Sequence, residues 1–164
     1  DCGMAKIRAA TTADAPAMMG MIRELAEYEK MPSSVKIDEM ILARDLENGA
    51  FGGFVAEEGD EVVGMLLYYL PYSTWLGQFF HMEDLYVRPA FRGKGYGKKL
   101  WKAAAQFARD RGFSRFQWDV LDWNEPAIKF YNKCPGAVDL TTKEGWLKYR
   151  LDGEGIANLA ESED

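Results

Sequence analysis

A glycine-rich segment in the middle of the chain connects an apolar, strand-like run to a helix-like run. It reads Arg92-Gly93-Lys94-Gly95-Tyr96-Gly97 and closely follows Leu85-Tyr86-Val87. Glycines leave the backbone N–H groups of a loop unshielded, and the N-terminus of the next helix adds positive partial charge. Cationic side chains here are Arg92, Lys94, Lys98 and Lys99. The segment therefore predicts a cradle for the phosphates of an anionic cofactor.

The spacing of the glycines excludes two common nucleotide-binding loops. A dinucleotide fingerprint needs glycines at relative positions one, three and six, and the sixth position from Gly93 is Lys98. A Walker loop needs four residues between its first glycine and a Gly-Lys pair, and only three separate Gly93 from Gly97. An Arg-x-x-Gly-x-Gly pattern remains. The alternative is a glycine-rich turn before an ordinary surface helix.

Length and composition predict a single globular domain. The chain has 164 residues, 48% of them apolar and 13% aromatic, which is enough to build a core. We expect the domain to span residues 4–164 and interpret residues 1–3 as a cloning remnant. No apolar run approaches the length of a membrane span, and the two cysteines have neither disulfide-framework nor zinc-site spacing. These features predict a cytoplasmic protein without a membrane segment.

The net charge of −6 bears on the kind of partner. Nucleic-acid binding needs a basic face, so an acidic surplus argues against it and favours a cationic partner. Charge of this size is also ordinary for solubility, and charge alone does not separate the two explanations. His81, the only histidine, has no partner pattern for a metal or a triad, so we interpret it as structural and predict no metal site.

Hydrophobic periodicity predicts a mixed α/β order of elements. Strands are expected at residues 5–10, 51–57, 61–69, 78–87 and 115–121, and helices at 12–30, 38–49 and 97–112. A short helix follows, with Asn124 as its cap and Pro126 in its first turn. Two last strands are expected around residues 137–140 and 146–151, before a frayed helical turn and an acidic tail.

The segments Glu83–Val87 and Arg92–Gly97 resemble the pyrophosphate-loop region of the Gcn5-related N-acetyltransferase (GNAT) family. The resemblance implies an α/β (α+β) GNAT fold, in which a mixed, mostly antiparallel sheet flanked by helices binds acetyl-CoA between splayed central strands. Further likeness, at residues 23–30, 68–75, 122–131 and 144–146, is to the spermidine/spermine (diamine) acetyltransferases and their thialysine-acetylating relatives. This set of motifs in this order is specific.

Two residues are the candidates for the chemistry of acetyl transfer. Tyr131 lies on the short helix, and a tyrosine phenol with its ordinary pKa of about 10 is protonated at neutral pH, so it can protonate a departing thiolate. Glu83 is an acid inside an apolar strand, so we expect it to face a cleft and accept the amine proton directly or through water. The alternatives are an ordinary packed tyrosine and an acid that pairs with a lysine or caps a bulge. Asp84 is interpreted as the structural member of the acidic pair.

The resemblance also implies binding roles by position. Cofactor contacts are implied for Leu85, Tyr86, Val87, Arg92, Gly93, Lys94, Gly95, Tyr96, Gly97, Lys98, Asn124, Glu125, Pro126 and Ala127. Substrate contacts are implied for Tyr28, Glu29, Glu83, Gln117, Trp118, Asp119 and Glu144. Members of the family are usually homodimers with a shared substrate channel, so we expect a dimer here.

The sequence therefore predicts an acetyl-CoA-dependent N-acetyltransferase. We expect it to acetylate a primary amine of a small di- or polyamine by direct attack in a ternary complex. Thialysine or a lysine-like side chain is the alternative substrate, since residues 121–124 look more like the thialysine-acting group, whereas Asp119 favours a cationic end group. An alternative of another class is a non-catalytic acyl-CoA sensor.

Overall fold

The structure is a computed structural model that describes residues 5–161. Its strands are β1 (Lys6–Ala9), β2 (Gly52–Glu58), β3 (Glu61–Tyr69), β4 (Tyr72–Ser73), β5 (Gly77–Gln78), β6 (Phe80–Val87) and β7 (Phe116–Trp118). Its α-helices are α1 (Ala15–Tyr28), α2 (Glu39–Glu47), α3 (Tyr96–Asp110), α4 (Glu125–Tyr131), α5 (Leu140–Glu144) and α6 (Gly153–Glu161).

Five of these strands form one sheet in the spatial order β1-β2-β3-β6-β7, and β4 and β5 form a separate ribbon. Pairing is antiparallel from β1 to β6 and parallel between β6 and β7. The tight turn between β2 and β3 contains Gly59 with a φ of +63°, a conformation that glycine adopts without a steric penalty. The predicted mixed, mostly antiparallel sheet flanked by helices is confirmed.

Helices pack on both faces of this sheet. On one face α1 buries three methionines, Met18, Met19 and Met21, in a core that includes Val55 of β2. The neighbouring residue Phe54 faces the other way, since successive side chains of a strand alternate between faces. Its ring lies 5.9 Å from that of Phe107 of α3. The sheet thus holds α3 on the face opposite α1.

The described residues fall into two compact units, one ending at Asp119 and the other beginning at Val120. The first unit contains both sheets and α1 to α3, and the second contains α4 to α6. Within residues 5–161, no helix is both long and apolar enough to cross a membrane.

The two last predicted strands are wrong. Where the first was expected, the Asp139 side chain accepts a hydrogen bond from the Thr141 N–H at 2.9 Å and Gly145, with a φ of +71°, ends α5. Residues 147–151 alternate apolar and polar side chains, but the segment 146–151 belongs to no strand. Local capping favours a helical turn, and an alternating segment becomes a strand only when another strand satisfies its backbone groups. The strand expected at 115–121 is also shorter and spans only Phe116–Trp118.

Candidate functional site

A 3-10 turn at Pro89–Phe91 connects the end of β6 to the glycine-rich segment Arg92–Gly97, here called the glycine loop. The loop leads into the start of α3. Gly93 and Gly95 have φ angles of +79° and +82°, which side chains with a Cβ rarely adopt. Gly95 is the N-cap of α3, and its carbonyl accepts from the Lys99 N–H at 3.0 Å. The loop therefore leads directly into a helix N-terminus, the arrangement that favours bound phosphate.

Three predicted cofactor contacts of the loop direct their side chains to other residues of the first unit. Lys94 Nζ lies 2.9 Å from Glu58 Oε1, and the Tyr96 hydroxyl donates to Glu58 Oε2 at 2.6 Å. Arg92 folds back so that its Nε donates to the Val87 carbonyl at 2.8 Å. Its guanidinium lies 5.4 Å from the centre of the Tyr86 ring. The side chains of the loop thus connect it to Glu58 and to the end of β6.

The strand before the loop has an edge that β7 does not cover. Among the described residues, β7 pairs with β6 only from Phe80 to Met82. The Arg88 N–H donates to the Val63 carbonyl of β3 at 2.9 Å. Because successive residues of a strand direct their N–H and C=O groups to alternate sides, Leu85 and Val87 direct theirs away from β3. Among the described strands, β6 from Glu83 to Val87 thus has β3 as its only paired neighbour.

A β-bulge lies at Glu83. The register between β3 and β6 pairs Leu67 with Asp84 and Tyr68 with Met82, which leaves Glu83 without a residue opposite it on β3. Bulges re-aim side chains, and the Glu83 side chain is exposed in a strand whose preceding three residues are buried. Glu83 is therefore exposed at the bulge, and its place in a cleft stays a prediction.

Three carboxylates form an electrostatically coupled group: Glu29, at the C-terminal end of α1, with Glu83 and Asp84. Burial raises the pKa of Asp84 to about 7, and the charges of Glu83 and Glu29 add to this rise. Burial, followed by the charge of Glu83, also raises the pKa of Glu29. Such a group attracts cations and offers, at Asp84, a proton acceptor close to neutral pH.

The predicted substrate contacts Gln117, Trp118 and Asp119 lie at the end of the first unit. Gln117 pairs with His81 in the parallel register between β7 and β6. His81 is buried with its Nε2 3.6 Å from Asp119 Oδ2, whereas the Asp119 side chain is 54% exposed. The rings of Trp118 and Trp101 meet edge to face at 5.4 Å. The imidazole thus lies beside a candidate substrate acid, a neighbourhood that the sequence does not reveal.

The remaining predicted site residues belong to the second unit. Asn124 caps α4, its side chain accepting from the Ala127 N–H at 3.4 Å, as predicted. Glu125 pairs with Lys129 one turn later at 3.2 Å. Tyr131 is the last residue of α4 and is half-buried. Its predicted face on that helix, shared with Ala127 and Ile128, also consists of half-buried residues.

Glu144 closes α5, and its Oε2 accepts from Trp146 Nε1 at 3.0 Å. Tyr28, the remaining predicted substrate contact, is the last residue of α1 in the first unit and is 42% exposed. Within residues 5–161, no group of His, Cys, Asp and Glu has the arrangement of a metal site.

Sequence reasoning missed three acidic residues around the loop and its strand. Asp84 was interpreted as structural, but its burial next to Glu83 gives it a pKa near neutral. Glu58 holds the loop from the β2–β3 hairpin. Glu24 of α1 accepts a hydrogen bond from the Tyr86 hydroxyl. Burial raises the pKa of that phenol, and the hydrogen bond to Glu24 adds to the rise. Of these three, only Asp84 could have been identified from the sequence, because two adjacent acids in an apolar strand suggest that each has its own role.

Comparison with known proteins gives a consistent result. A family model described as the acetyltransferase (GNAT) family matches residues 17–135. The chain is 50% identical over 144 residues to the thialysine N-epsilon-acetyltransferase of Caenorhabditis elegans, covering 88% of this chain and 89% of that protein. It is 32% identical to the spermidine/spermine N(1)-acetyltransferase-like protein 1 of Homo sapiens, covering 94% of this chain and 24% of that protein. An integron cassette protein from the mobile metagenome of V. cholerae has a similar structure, with a TM-score of 0.76, 27% identity, and coverage of 98% of this chain and 100% of that one.

Proposed function

The chain belongs to the acetyltransferase (GNAT) family, and from that membership we propose that it transfers the acetyl group of acetyl-CoA to a primary amine of a small cationic substrate. It is an acyltransferase, so the alternative of a non-catalytic acyl-CoA sensor is set aside. Members of the family use acetyl-CoA. We propose which residues bind acetyl-CoA in this chain, which amine it prefers and how it assembles.

One observation carries the proposed binding mode: the uncovered edge of β6 leads straight into the glycine loop and the N-terminus of α3. Leu85 offers its backbone N–H and C=O groups, and Val87 its N–H, to the amides of the pantetheine arm, as an added strand would. The Val87 carbonyl already accepts from Arg92 Nε. The N–H groups of residues 93–97 and the helix end meet the diphosphate. Lys98 and Asn124 to Ala127 complete the proposed cofactor contacts.

The proposed chemistry uses two proton transfers. Glu83, directly or through water, accepts the proton that the substrate ammonium must lose before its nitrogen attacks the thioester carbonyl. Asp84 is a second acceptor in the same group of carboxylates, with its pKa raised by burial to about 7. Tyr131 donates its phenolic proton to the sulfur as the carbon–sulfur bond breaks. The products are the acetylated amine and the free thiol of CoA.

The proposed substrate is a diamine-like amine, with thialysine first. The relative named for thialysine is 50% identical to this chain, and the one named for spermidine and spermine is 32% identical. The coupled carboxylates Glu29, Glu83 and Asp84 support a cationic substrate in general. A di- or polyamine is the second candidate, because Asp119 and Glu144 provide acids that can pair with a distal ammonium. A lysine analogue carries an amino group and a carboxylate at that end instead.

We also propose a homodimer that works in the cytoplasm. Supporting the dimer, the segment after α5 exposes large apolar side chains: Trp146, Leu147, Tyr149 and Leu151 are 52% to 91% exposed. Apolar patches of this kind mark association surfaces, and the alternating pattern suits strand pairing with a second copy. Supporting the compartment, the sequence has only two cysteines and no disulfide-type spacing.

A thiol-release assay with acetyl-CoA and a panel of amines tests the activity. We expect the highest kcat/KM with thialysine, then spermidine and putrescine, and the lowest with lysine. Acetyl-CoA hydrolysis without amine serves as the background. A preference for spermidine over thialysine would favour the second candidate, and amine-independent release alone would contradict acetyl transfer to an amine.

A further inference from the structure

The glycine loop is connected to the β2–β3 hairpin through one carboxylate. Glu58, the last residue of β2, accepts from the Tyr96 hydroxyl at 2.6 Å and from Lys94 Nζ at 2.9 Å and 3.2 Å. These two side chains flank Gly95, the glycine that begins α3. The Tyr96 residue is 4% exposed and its hydrogen bond to Glu58 is partly buried, whereas the Lys94–Glu58 pair lies at the surface.

The hairpin is a firm support for such a contact. Glu58 pairs with Glu61 across the turn, and β2 is paired with β3 from Gly52 to Glu58, with one irregularity between Ala56 and Glu57. The glycines, by contrast, give the loop many accessible backbone conformations. Of these, Gly93 and Gly95 occupy the left-handed region, and a Cβ at either would meet no atom within 4 Å. The side-chain hydrogen bonds of Lys94 and Tyr96 to Glu58, together with that of Arg92 Nε to the Val87 carbonyl, tie the loop to the sheet in this conformation.

We propose that Glu58 is a positioning residue that holds the glycine loop in the shape that receives the diphosphate of acetyl-CoA. It acts through Lys94 and Tyr96 and does not itself contact the cofactor. The inference rests on the proposed role of this loop in cofactor binding. Preorganised N–H groups bind an anion without the cost of ordering the loop first.

Two effects of Glu58 on cofactor binding have opposite signs, which makes the proposal testable. A carboxylate near a diphosphate repels it, so removing the charge alone would tighten binding. Removing the carboxylate also releases the loop, and this weakens binding. If Glu58 positions the loop, the second effect is the larger.

Isothermal titration of CoA into the intact protein measures this balance without depending on activity. We expect Glu58→Ala to raise the Kd for CoA about three- to tenfold, the range of one or two lost hydrogen bonds. Glu58→Gln keeps an acceptor for the Tyr96 hydroxyl and should lose less. Tyr96→Phe should weaken binding, and Glu58→Ala with Tyr96→Phe should be no worse than Glu58→Ala alone, since both remove the same contact.

Asp60→Asn is the matched control, because it removes one negative charge from the same turn. We expect its Kd for CoA to be unchanged or lower. In steady-state kinetics, Glu58→Ala should raise the KM for acetyl-CoA while the kcat at saturation and the KM for the amine stay the same. If Glu58→Ala does not fold, Glu58→Gln and Tyr96→Phe decide the matter by the same titration.

Unchanged or tighter CoA binding by the folded Glu58 variants would overturn the positioning role and leave the proposed function intact. A wild-type protein that does not bind CoA would overturn the proposed function, and the inference with it. If Asp60→Asn weakened CoA binding as much as the Glu58 variants, the inference would also be overturned. The effect would then come from any change to the β2–β3 turn and not from the contacts of Glu58.

Discussion

Glu83 and Asp84 are consecutive residues of β6 with different environments: Glu83 is exposed at a bulge, whereas Asp84 is half-buried opposite Leu67. Burial, together with the nearby charges of Glu83 and Glu29, raises the pKa of Asp84 from 3.8 to about 7. Of the two adjacent acids, Asp84 is therefore a group that titrates near neutral pH.

The raised pKa of Asp84 predicts a pH-dependent stability. Between the ordinary pKa of an aspartate and about 7, the unfolded state has lost a proton that the folded state keeps. The free energy of unfolding therefore falls as pH rises through this window, by up to about 1.4 kcal/mol per unit. We expect Asp84→Asn to be more stable than the wild type, by a margin that is larger at pH 8 than at pH 5.

Urea unfolding at both pH values measures that margin. Glu83→Gln provides the companion variant, because loss of its charge should lower the pKa of Asp84 and flatten the pH dependence. Parallel pH profiles of the wild type and Asp84→Asn would contradict the raised pKa.

Gly95 and Gly97 are expected to respond in opposite ways to alanine. Gly95 has a φ of +82°, so Gly95→Ala should lower the free energy of unfolding by about 1–2 kcal/mol. Gly97 lies within α3, where a Cβ would make only an ordinary contact with Val87 at 3.9 Å. Gly97→Ala should raise the stability by up to about 1 kcal/mol. Chemical denaturation compares the two, and a similar loss in both would refute a conformational role specific to Gly95.

Tyr131→Phe should impair the chemical step. Loss of a general acid typically lowers kcat by about 10²- to 10⁴-fold, and the KM for acetyl-CoA should change little because the ring is retained. The matched control is Tyr72→Phe, which alters a tyrosine of β4 that is 75% exposed. Steady-state kinetics with the best amine of the panel gives both constants, and a kcat equal to that of the wild type would remove Tyr131 from the proposed mechanism.

Asp119→Asn should weaken amine binding more than it slows the saturated enzyme. Negative charge that attracts the amine also raises the pKa of the nitrogen that must lose a proton, so attraction and chemistry are best separated in space. We propose that Asp119 and Glu144 hold the distal ammonium, whereas Glu29, whose pKa is raised by burial and by the charge of Glu83, belongs with the acids near the reacting nitrogen. The KM for a diamine should rise about tenfold, as expected for one lost charged contact.

Asp110→Asn is the control for this prediction, since Asp110 is an exposed acid that pairs with Arg109 at 2.8 Å on the last turn of α3. A loss that appears in kcat alone would show that Asp119 takes part in the chemistry instead of distal binding.

The exposed apolar segment after α5 predicts the assembly. We expect the wild type to have the mass of two 18.6 kDa chains in light scattering coupled to size exclusion. Replacing Leu147 and Tyr149 together with lysine should shift it towards the mass of one chain, because buried unpaired charge opposes association. Met40→Lys alters a residue that is 79% exposed on α2 and should leave the mass unchanged. A wild type that elutes as one chain would reject the dimer.

Several local features were predictable because they depend on neighbouring residues. The glycine loop, the start of α3 within one residue and the Asn124 cap follow from backbone preference and capping, which act over a few positions. The same local reasoning failed at residues 146–151. Their alternation is real, but a strand needs a partner that the segment itself does not contain. That one domain spans residues 4–164 stays a prediction.

By itself, the sequence determined the fold class, the family and the position of the glycine loop, since these rest on short motifs with a defined order. Only the tertiary structure decided that Glu58 reaches Tyr96 across 38 positions of the chain, that Asp84 is half-buried and that Glu83 occupies a bulge. Burial, register and long-range hydrogen bonds arise when distant segments pack together. No local pattern of residues specifies which carboxylate will be left in water and which will be taken out of it.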